Sequence, residues 1–537
     1  MAKSGTALLG CSVMVVLALA PGAGCRARKG RESVAPAGPS ASPGAIAGAS
    51  INNSGADKGR YNIPDRSVMG DATGAMLKAP LKDPATSEDY AHYEPNRMVP
   101  TVEDRLSTFA VDVDNASYTL ARRKLLEGAQ VPADAVRVEE FVNYFDYGYV
   151  GPSDGRPFTV HLEAAPSPFH PARQLLRVGV KGRVVERRAR KQANLVFLVD
   201  VSGSMASSDK LALAQRSLRI LVDNLQGDDS VALVTYAGST RVVLEPTGMG
   251  RRAEILAAID DLSAGGSTAM GSGIALAYEL AARTLTPSSV SRVIVLSDGD
   301  ANVGNTTHEA ILETIAGYVK RGVTLSTIGF GTGNYRDTLM EQLANKGNGN
   351  NYYVDSPKEA ERIFGEQLGG TIEVIAKDVK LQVEFDPAVV SAYRLIGYEN
   401  RAIADQDFRR DAVDAGEIGA GHSVTALYEL ELTGQADPGP LAMVRVRAKP
   451  PEGDQASEAA FRIDRAELRA SFADASASFR FATAVTAFAE LLRRSPAADG
   501  WTFAKVLELA RPVADQSGDP RQQEFVRLVE RAMANHI

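Results

Sequence analysis

The chain has 537 residues, more than a single hydrophobic core sustains, so about three domains are expected. Hydrophobic residues at 44% and charged residues at 23% describe a globular protein, and a net charge of −7 excludes the broadly basic face of a general nucleic-acid binder. The two cysteines are Cys11 and Cys25, which excludes a structural disulfide or a cysteine zinc site in everything that follows them.

The first 25 residues have Lys3, an apolar run from Ala7 to Ala20, and small residues before Cys25. That order reads as a secretory signal peptide. Gly22-Ala23-Gly24-Cys25 resembles a bacterial lipoprotein cleavage box, with Gly22 where a leucine is usual. The resemblance implies lipidation at Cys25 and a periplasmic-side, membrane-anchored location. No later segment approaches the roughly 20 apolar residues of a spanning helix. Residues 26–90 are rich in Ala, Gly, Ser and Pro, bury too little apolar area to offset ordering entropy, and read as a disordered tether.

Residues 91–190 form a first folded module in this reading. It holds TFAVDVD, a helix from Ala116, the aromatic VEEFVNYFDYGY, and the strands FTVHLEAAP and LLRVGVKG. Asp112 or Asp114 is expected to cap the helix. The aromatics of EFVNYFDYGY are expected in the core or at a domain interface.

From 191 to 370 strands and helices alternate. NLVFLVD is a continuous apolar run suited to a strand covered on both faces. KLALAQRSLRILVDNL has helical spacing, SVALVTYAG and TRVVLEP are strands, and RRAEILAAIDDL and GSGIALAYELAART are helices. SRVIVLSDG, TLSTIGFG and NYYVD complete the strands. This alternation predicts an α/β fold with a doubly wound, mostly parallel sheet. Residues 371–537 change character. VKLQVEFDP, VVSAYRLIGY, SVTALYELEL and LAMVRVRAK are strands, and FRFATAVTAFAELLRRS and FVRLVERAMANHI are helices. They are expected to make a β-rich C-terminal domain with terminal helices.

Ligands of open α/β sheets bind beyond the carboxyl ends of the strands. Asp200, Ser202 and Ser204 of DVSGSM follow one strand, and Asp298 follows another. Thr268, in AGGSTAMGSG, immediately precedes a helix. All five offer hard oxygen ligands, a set that suits Mg²⁺, with Mn²⁺ or Ca²⁺ as substitutes. Three are neutral hydroxyls, so the site supplies at most two negative charges and leaves the ion able to accept an outside carboxylate. Gly203 is expected to let the loop bend. Asp300 is left outside the ligand set. Other readings of these loops are a strand-end turn that bonds its own backbone, a nucleophilic serine without the Gly-x-Ser-x-Gly elbow, and a phosphate cradle without the Walker lysine.

Asp-x-Ser-x-Ser with Thr268 and Asp298 resembles the metal-ion-dependent adhesion site of von Willebrand factor type A domains. The flanks, including STFAVDVDNASYTLARRKLLEGAQVPADAVRVEEFVNYFDY and GYENR at 397–401, resemble an exported bacterial subfamily with an N-terminal accessory module and a β-rich C-terminal domain. The resemblance implies Mg²⁺-dependent recognition of an acidic residue on an unidentified protein partner in the cell envelope, and no enzymatic activity. Two alternatives stand beside it. Asp112-Val113-Asp114 resembles the nucleophile motif of haloacid-dehalogenase-type phosphatases, which implies a metal-dependent phosphohydrolase. The third reading is a purely structural envelope scaffold.

Overall fold

A computed structural model describes residues 88–267, 270–299, 307–331, 335–434 and 439–535. The signal peptide, Cys25, the tether to residue 87 and Thr268 lie outside the described residues.

The N-terminal segment supplies β1 (Val99–Pro100), β2 (Leu106–Ala110), α1 (Ala116–Glu127), α2 (Val138–Asn143), β3 (Phe158–Pro166) and β4 (Arg173–Gly182). The α/β region follows with β5 (Gln192–Asp200), α3 (Leu211–Asn224), β6 (Ser230–Tyr236), β7 (Thr240–Gly248), α4 (Arg252–Asp260), α5 (Met270–Thr284), β8 (Ser289–Ser297), α6 (His308–Val319), β9 (Val323–Phe330), α7 (Asp337–Lys346), β10 (Asn351–Val354), α8 (Pro357–Glu361) and α9 (Leu368–Ile372). The C-terminal segment holds β11 (Val374–Glu384), β12 (Val390–Ile396), β13 (Gly416–Gly419), β14 (Ser423–Leu432), β15 (Pro440–Lys449), β16 (Ser457–Asp464), α10 (Ala477–Leu492), α11 (Phe503–Ser517) and α12 (Pro520–Ala534).

The α/β region builds a six-stranded sheet in the order β10-β9-β8-β5-β6-β7, parallel except for the β6–β7 pair. Alternate residues of β5 and β8 feed opposite cores, as a strand buried on both faces requires. Leu195, Phe197, Ile294 and Leu296 join α3 and α4 on one face. Val196, Leu198, Val293 and Val295 join α5 and α6 on the other. β5 lies between β8 and β6: the chain steps from β5 to β6 and β7 on one side and then crosses over to β8 on the other. The carboxyl end of β5 is therefore a topological switch point, where side chains from neighbouring loops converge.

The C-terminal segment is β-rich and ends in helices, as expected, but its strands are shared with the N-terminal segment. Residues 91–190 and 371–537 do not fold as two units but share two five-stranded sheets. One runs β1-β12-β14-β4-β3. In the other, β13-β11-β15-β16 are joined by β2, which pairs with β11. Periodicity locates such strands but carries no information about partners nearly 300 residues away, as in Val383 opposite Ser107. The sheets enclose a core of Phe109, Leu176, Leu381, Tyr428 and Val444. A second core joins α1 and α2 to α10–α12, where Phe145 meets Phe481 and Phe525 edge-on. The aromatics of EFVNYFDYGY lie in this core, as expected. Helix α11 escaped the sequence reading. Pro512 in its interior costs a backbone hydrogen bond and disguises the period.

Candidate functional site

β5 and β8 are parallel neighbours in a register that sets Val199 beside Leu296. Asp200 therefore stands opposite Ser297, and Asp298 follows one residue beyond. Both carboxylates are fully buried. The Ser202 backbone N–H donates to Asp200 Oδ1 at 2.9 Å, and Ser297 Oγ donates to Oδ2 at 3.0 Å. Ser297 in turn accepts from the Gly299 N–H at 2.9 Å. Ser202 and Ser204 place their hydroxyl oxygens 3.0 Å apart, at the start of a short 3₁₀ turn over Gly203–Ala206.

Gly203 lies between the two serines at the bend of the loop. Its φ is not positive, and its N–H donates to the Gly266 carbonyl at 3.0 Å, joining the first loop to the glycine-rich second one. The left-handed conformations belong to Gly266 (φ +91) and Gly299 (φ +77). At Gly299 a Cβ would lie 2.5 Å from the Arg336 backbone N, so only glycine admits that close approach.

Two side chains absent from the sequence reading complete the cup. Lys210, 7% exposed, sets its Nζ 2.9 Å from Asp298 Oδ2. Its stem lies over Gly331, where a Cβ would meet the lysine Cε at 2.3 Å. The Tyr236 hydroxyl is buried beside Ser297 and Asp200. Burial first, and then the Asp200 charge, hold it well above the ordinary phenol range. Burial also raises the Asp200 carboxyl; bonds from Ser202 and Ser297 lower it, and Asp298 adds to the rise. No spacing rule signals Lys210 or Tyr236. Lys210 opens an amphipathic helix and reads as an ordinary solvated lysine.

The structure thus brings Asp200, Ser202, Ser204 and Asp298 to one sheet edge, while Thr268 lies outside the described residues. These donors fit a hard divalent ion: carboxylate and hydroxyl oxygens, no nitrogen or sulfur.

The competing carboxylates are placed very differently. Asp112 Oδ2 accepts from Arg401 Nε at 2.9 Å, and its Oδ1 accepts the Asp114 N–H at 2.8 Å. Asp114 accepts from the Asn351 N–H at 2.8 Å and from Arg401 at 3.2 Å. Each oxygen of the two carboxylates thus accepts a hydrogen bond from the protein itself. Neither caps α1: Asn115 is the N-cap, makes no capping bond, and accepts from Arg362 at 3.0 Å instead. A further acidic group, Asp378, Asp414 and Glu417, gathers carboxylate oxygens within 4.8 Å. Lys449 already holds Asp378 at 2.7 Å.

Three family matches tile the chain. Residues 84–177 match von Willebrand factor, 194–366 the von Willebrand factor type A domain, and 370–440 and 433–534 the C-terminal part of uncharacterized protein YfbK. The chain is 36% identical over 487 residues to uncharacterized protein YfbK of Escherichia coli strain K12, covering 86% of this chain and 84% of that one. It is 28% identical over 212 residues to uncharacterized protein sll0103 of Synechocystis, covering 40% of this chain and 49% of that protein. Among solved structures, a von Willebrand factor type A protein from Catenulispora acidiphila aligns at 18% identity with a TM-score of 0.44, over 72% of this chain and 91% of the other.

Proposed function

The chain belongs to the YfbK family of proteins with a von Willebrand factor type A domain, and on that premise we propose that it is a Mg²⁺-dependent protein-binding module of the bacterial cell envelope. Asp200, Ser202, Ser204, Thr268 and Asp298 would hold the ion, with Mn²⁺ or Ca²⁺ as substitutes. Bound there, the ion supplies an electrophilic centre that accepts a carboxylate from outside. The partner is a protein that presents an Asp or Glu side chain. The protein is exported and held at the periplasmic side through a lipid on Cys25. It performs no bond-breaking chemistry.

The observation that carries this reading is the charge balance at the sheet edge. Among the described residues, Asp200 and Asp298 contribute two negative charges, and Lys210 at 2.9 Å offsets one of them. A divalent ion on one net negative charge stays under-neutralised, and the serines add none. An external carboxylate is the group that restores balance. The chain's own residues have distinct parts: Ser297 and the Ser202 N–H orient Asp200, and Lys210 fixes Asp298.

The test is a crosslinked pull-down from envelope extracts with Mg²⁺ or EDTA, using the wild type and Asp200→Ala. Partners are expected only with Mg²⁺ and only with the wild type. Recovery indifferent to both EDTA and Asp200→Ala overturns the proposal.

A further inference from the structure

At the opposite end of the sheet, beneath the amino ends of β8 and β9, a cavity of about 550 Å³ separates the α/β domain from the β-sandwich. Its volume is that of small-molecule sites. Arg292 and Thr324 are register partners on neighbouring strands and line it from the sheet. Ile294, Leu296 and Ile328 continue the same face as apolar core. Arg292, Thr324 and Ser326 thus form a polar patch at the end of an apolar face.

Arg292 is 1% exposed and forms no ion pair among the described residues. Nη1 donates to Ser326 Oγ at 2.7 Å, and Nε has no partner. A buried guanidinium in this state is costly, and burial holds its pKa below the ordinary value. Its nearest acid by charge interaction is Glu417, which lines the same cavity from β13. The two do not close a salt bridge. Glu417 Oε1 is buried and unpartnered, as are Thr324 Oγ1 and Glu373 Oε2, and Glu373 lines the cavity too. Leu285, Pro287, Val319 and Pro450 supply apolar wall.

The exposed Arg183 and the half-buried Lys191 and Lys377 also line the cavity, but its one buried cation without an ion pair, its two unmatched glutamate oxygens and its apolar side are complementary to a molecule of the reverse layout. We propose that this cavity binds a free amino acid with an apolar side chain. Its carboxylate pairs with Arg292 in the planar geometry that guanidinium favours. Its ammonium donates to Glu417 and Glu373. Its side chain lies along Leu285, Pro287 and Val319. The site is at the sheet end remote from Asp200 and does not depend on the metal reading.

The test titrates the purified chain with L-leucine and L-phenylalanine by calorimetry and thermal shift. Two truncated probes accompany them: leucinamide, without the carboxylate, and 4-methylpentanoate, without the ammonium. One of the amino acids is expected to bind and to raise the melting temperature. Each truncated probe should bind at least about tenfold more weakly, because it leaves a buried polar group unpaired. Arg292→Met and Glu417→Gln should each abolish binding. Exchanging an unpaired buried charge for an apolar group is not expected to unfold the chain, and circular dichroism checks this. Glu417→Gln, milder still, tests the site should Arg292→Met misfold. Asp200→Ala should leave binding unchanged, which separates this site from the metal cup. If 4-methylpentanoate binds as well as leucine, the zwitterion reading falls. If neither amino acid shifts the melting temperature, the cavity is a hydrated interface and the proposal falls.

Discussion

Two strand ends in this molecule carry acidic motifs of nearly the same form, and they have opposite fates. Asp112 and Asp114 follow β2. Asp200 ends β5, with Asp298 beside it after β8. At the first, the Arg401 guanidinium spans both carboxylates, and the Asn351 N–H takes a further oxygen. At the second, the neighbours are mostly hydroxyls, and the one ammonium, that of Lys210, is set on Asp298. A carboxylate pair locked by a guanidinium holds modules together. A pair set among neutral oxygens is arranged for something from outside. The motif alone does not distinguish the two; the arriving cation does.

The largest expected effect breaks the first region. Arg401→Leu leaves Asp112, Asp114 and Glu341 without their shared counter-charge. Removing one partner of a buried ion network costs about 3–5 kcal/mol, so the urea midpoint should fall steeply. The counterpart at the second region is Asp200→Ala. In the wild type, Mg²⁺ at 100 times its dissociation constant should stabilise the fold by about 2.7 kcal/mol, read as a rise in melting temperature. Asp200→Ala should abolish that rise and Asp112→Asn should keep it. The reverse pattern would reassign the metal to Asp112 and revive the phosphohydrolase.

The two regions were not equally legible in the sequence. Asp200 and Asp298 could be placed together because an apolar run fixes a buried strand, and the carboxyl ends of parallel neighbours form one edge. Local pattern sufficed. Arg401 could not be assigned to Asp112, because β1 and β2 pair with strands nearly 300 residues later, and no periodicity encodes that pairing. The same blindness separated 91–190 from 371–537, whose strands lie in shared sheets. Lys210 is illegible for another reason: a lysine before an amphipathic helix is usually solvated, and only its burial between Asp298 and Gly331 marks it.

A pH measurement sharpens the contrast on the Arg401 side. Glu139 is fully enclosed beside this network and accepts the Tyr398 N–H at 2.9 Å. Burial first, then Glu399 and Asp112, raise its carboxyl to about 8 from an ordinary 4.5. Between these values the folded chain keeps a proton that the unfolded chain releases. Its contribution to stability is therefore fully present below about 4.5 and is lost as pH rises through about 8. The slope is at most about 1.4 kcal/mol per pH unit. Glu139→Gln is neutral at every pH and should flatten this part of the profile in denaturation series. An unchanged slope would mean that Glu139 is already ionised in the fold.

The smallest effect is the most informative about the metal cup. Lys210→Met keeps an unbranched stem against Gly331 and deletes the ammonium 2.9 Å from Asp298. Among the described residues the cup then presents two carboxylates without the Lys210 charge, and a divalent ion on it is nearer neutrality. Mg²⁺ should bind more tightly, by about tenfold for a change of ~1.4 kcal/mol, in calorimetric titration. Because a neutralised ion attracts an external carboxylate less, recovery of partner protein should fall while metal affinity rises. Those opposite signs separate the charge argument from a packing one. If Lys210 acts mainly as a strut over Gly331, its replacement loosens the loops and both affinities weaken together. A rise in one with a fall in the other identifies Lys210 as the residue that keeps the ion in need of a partner.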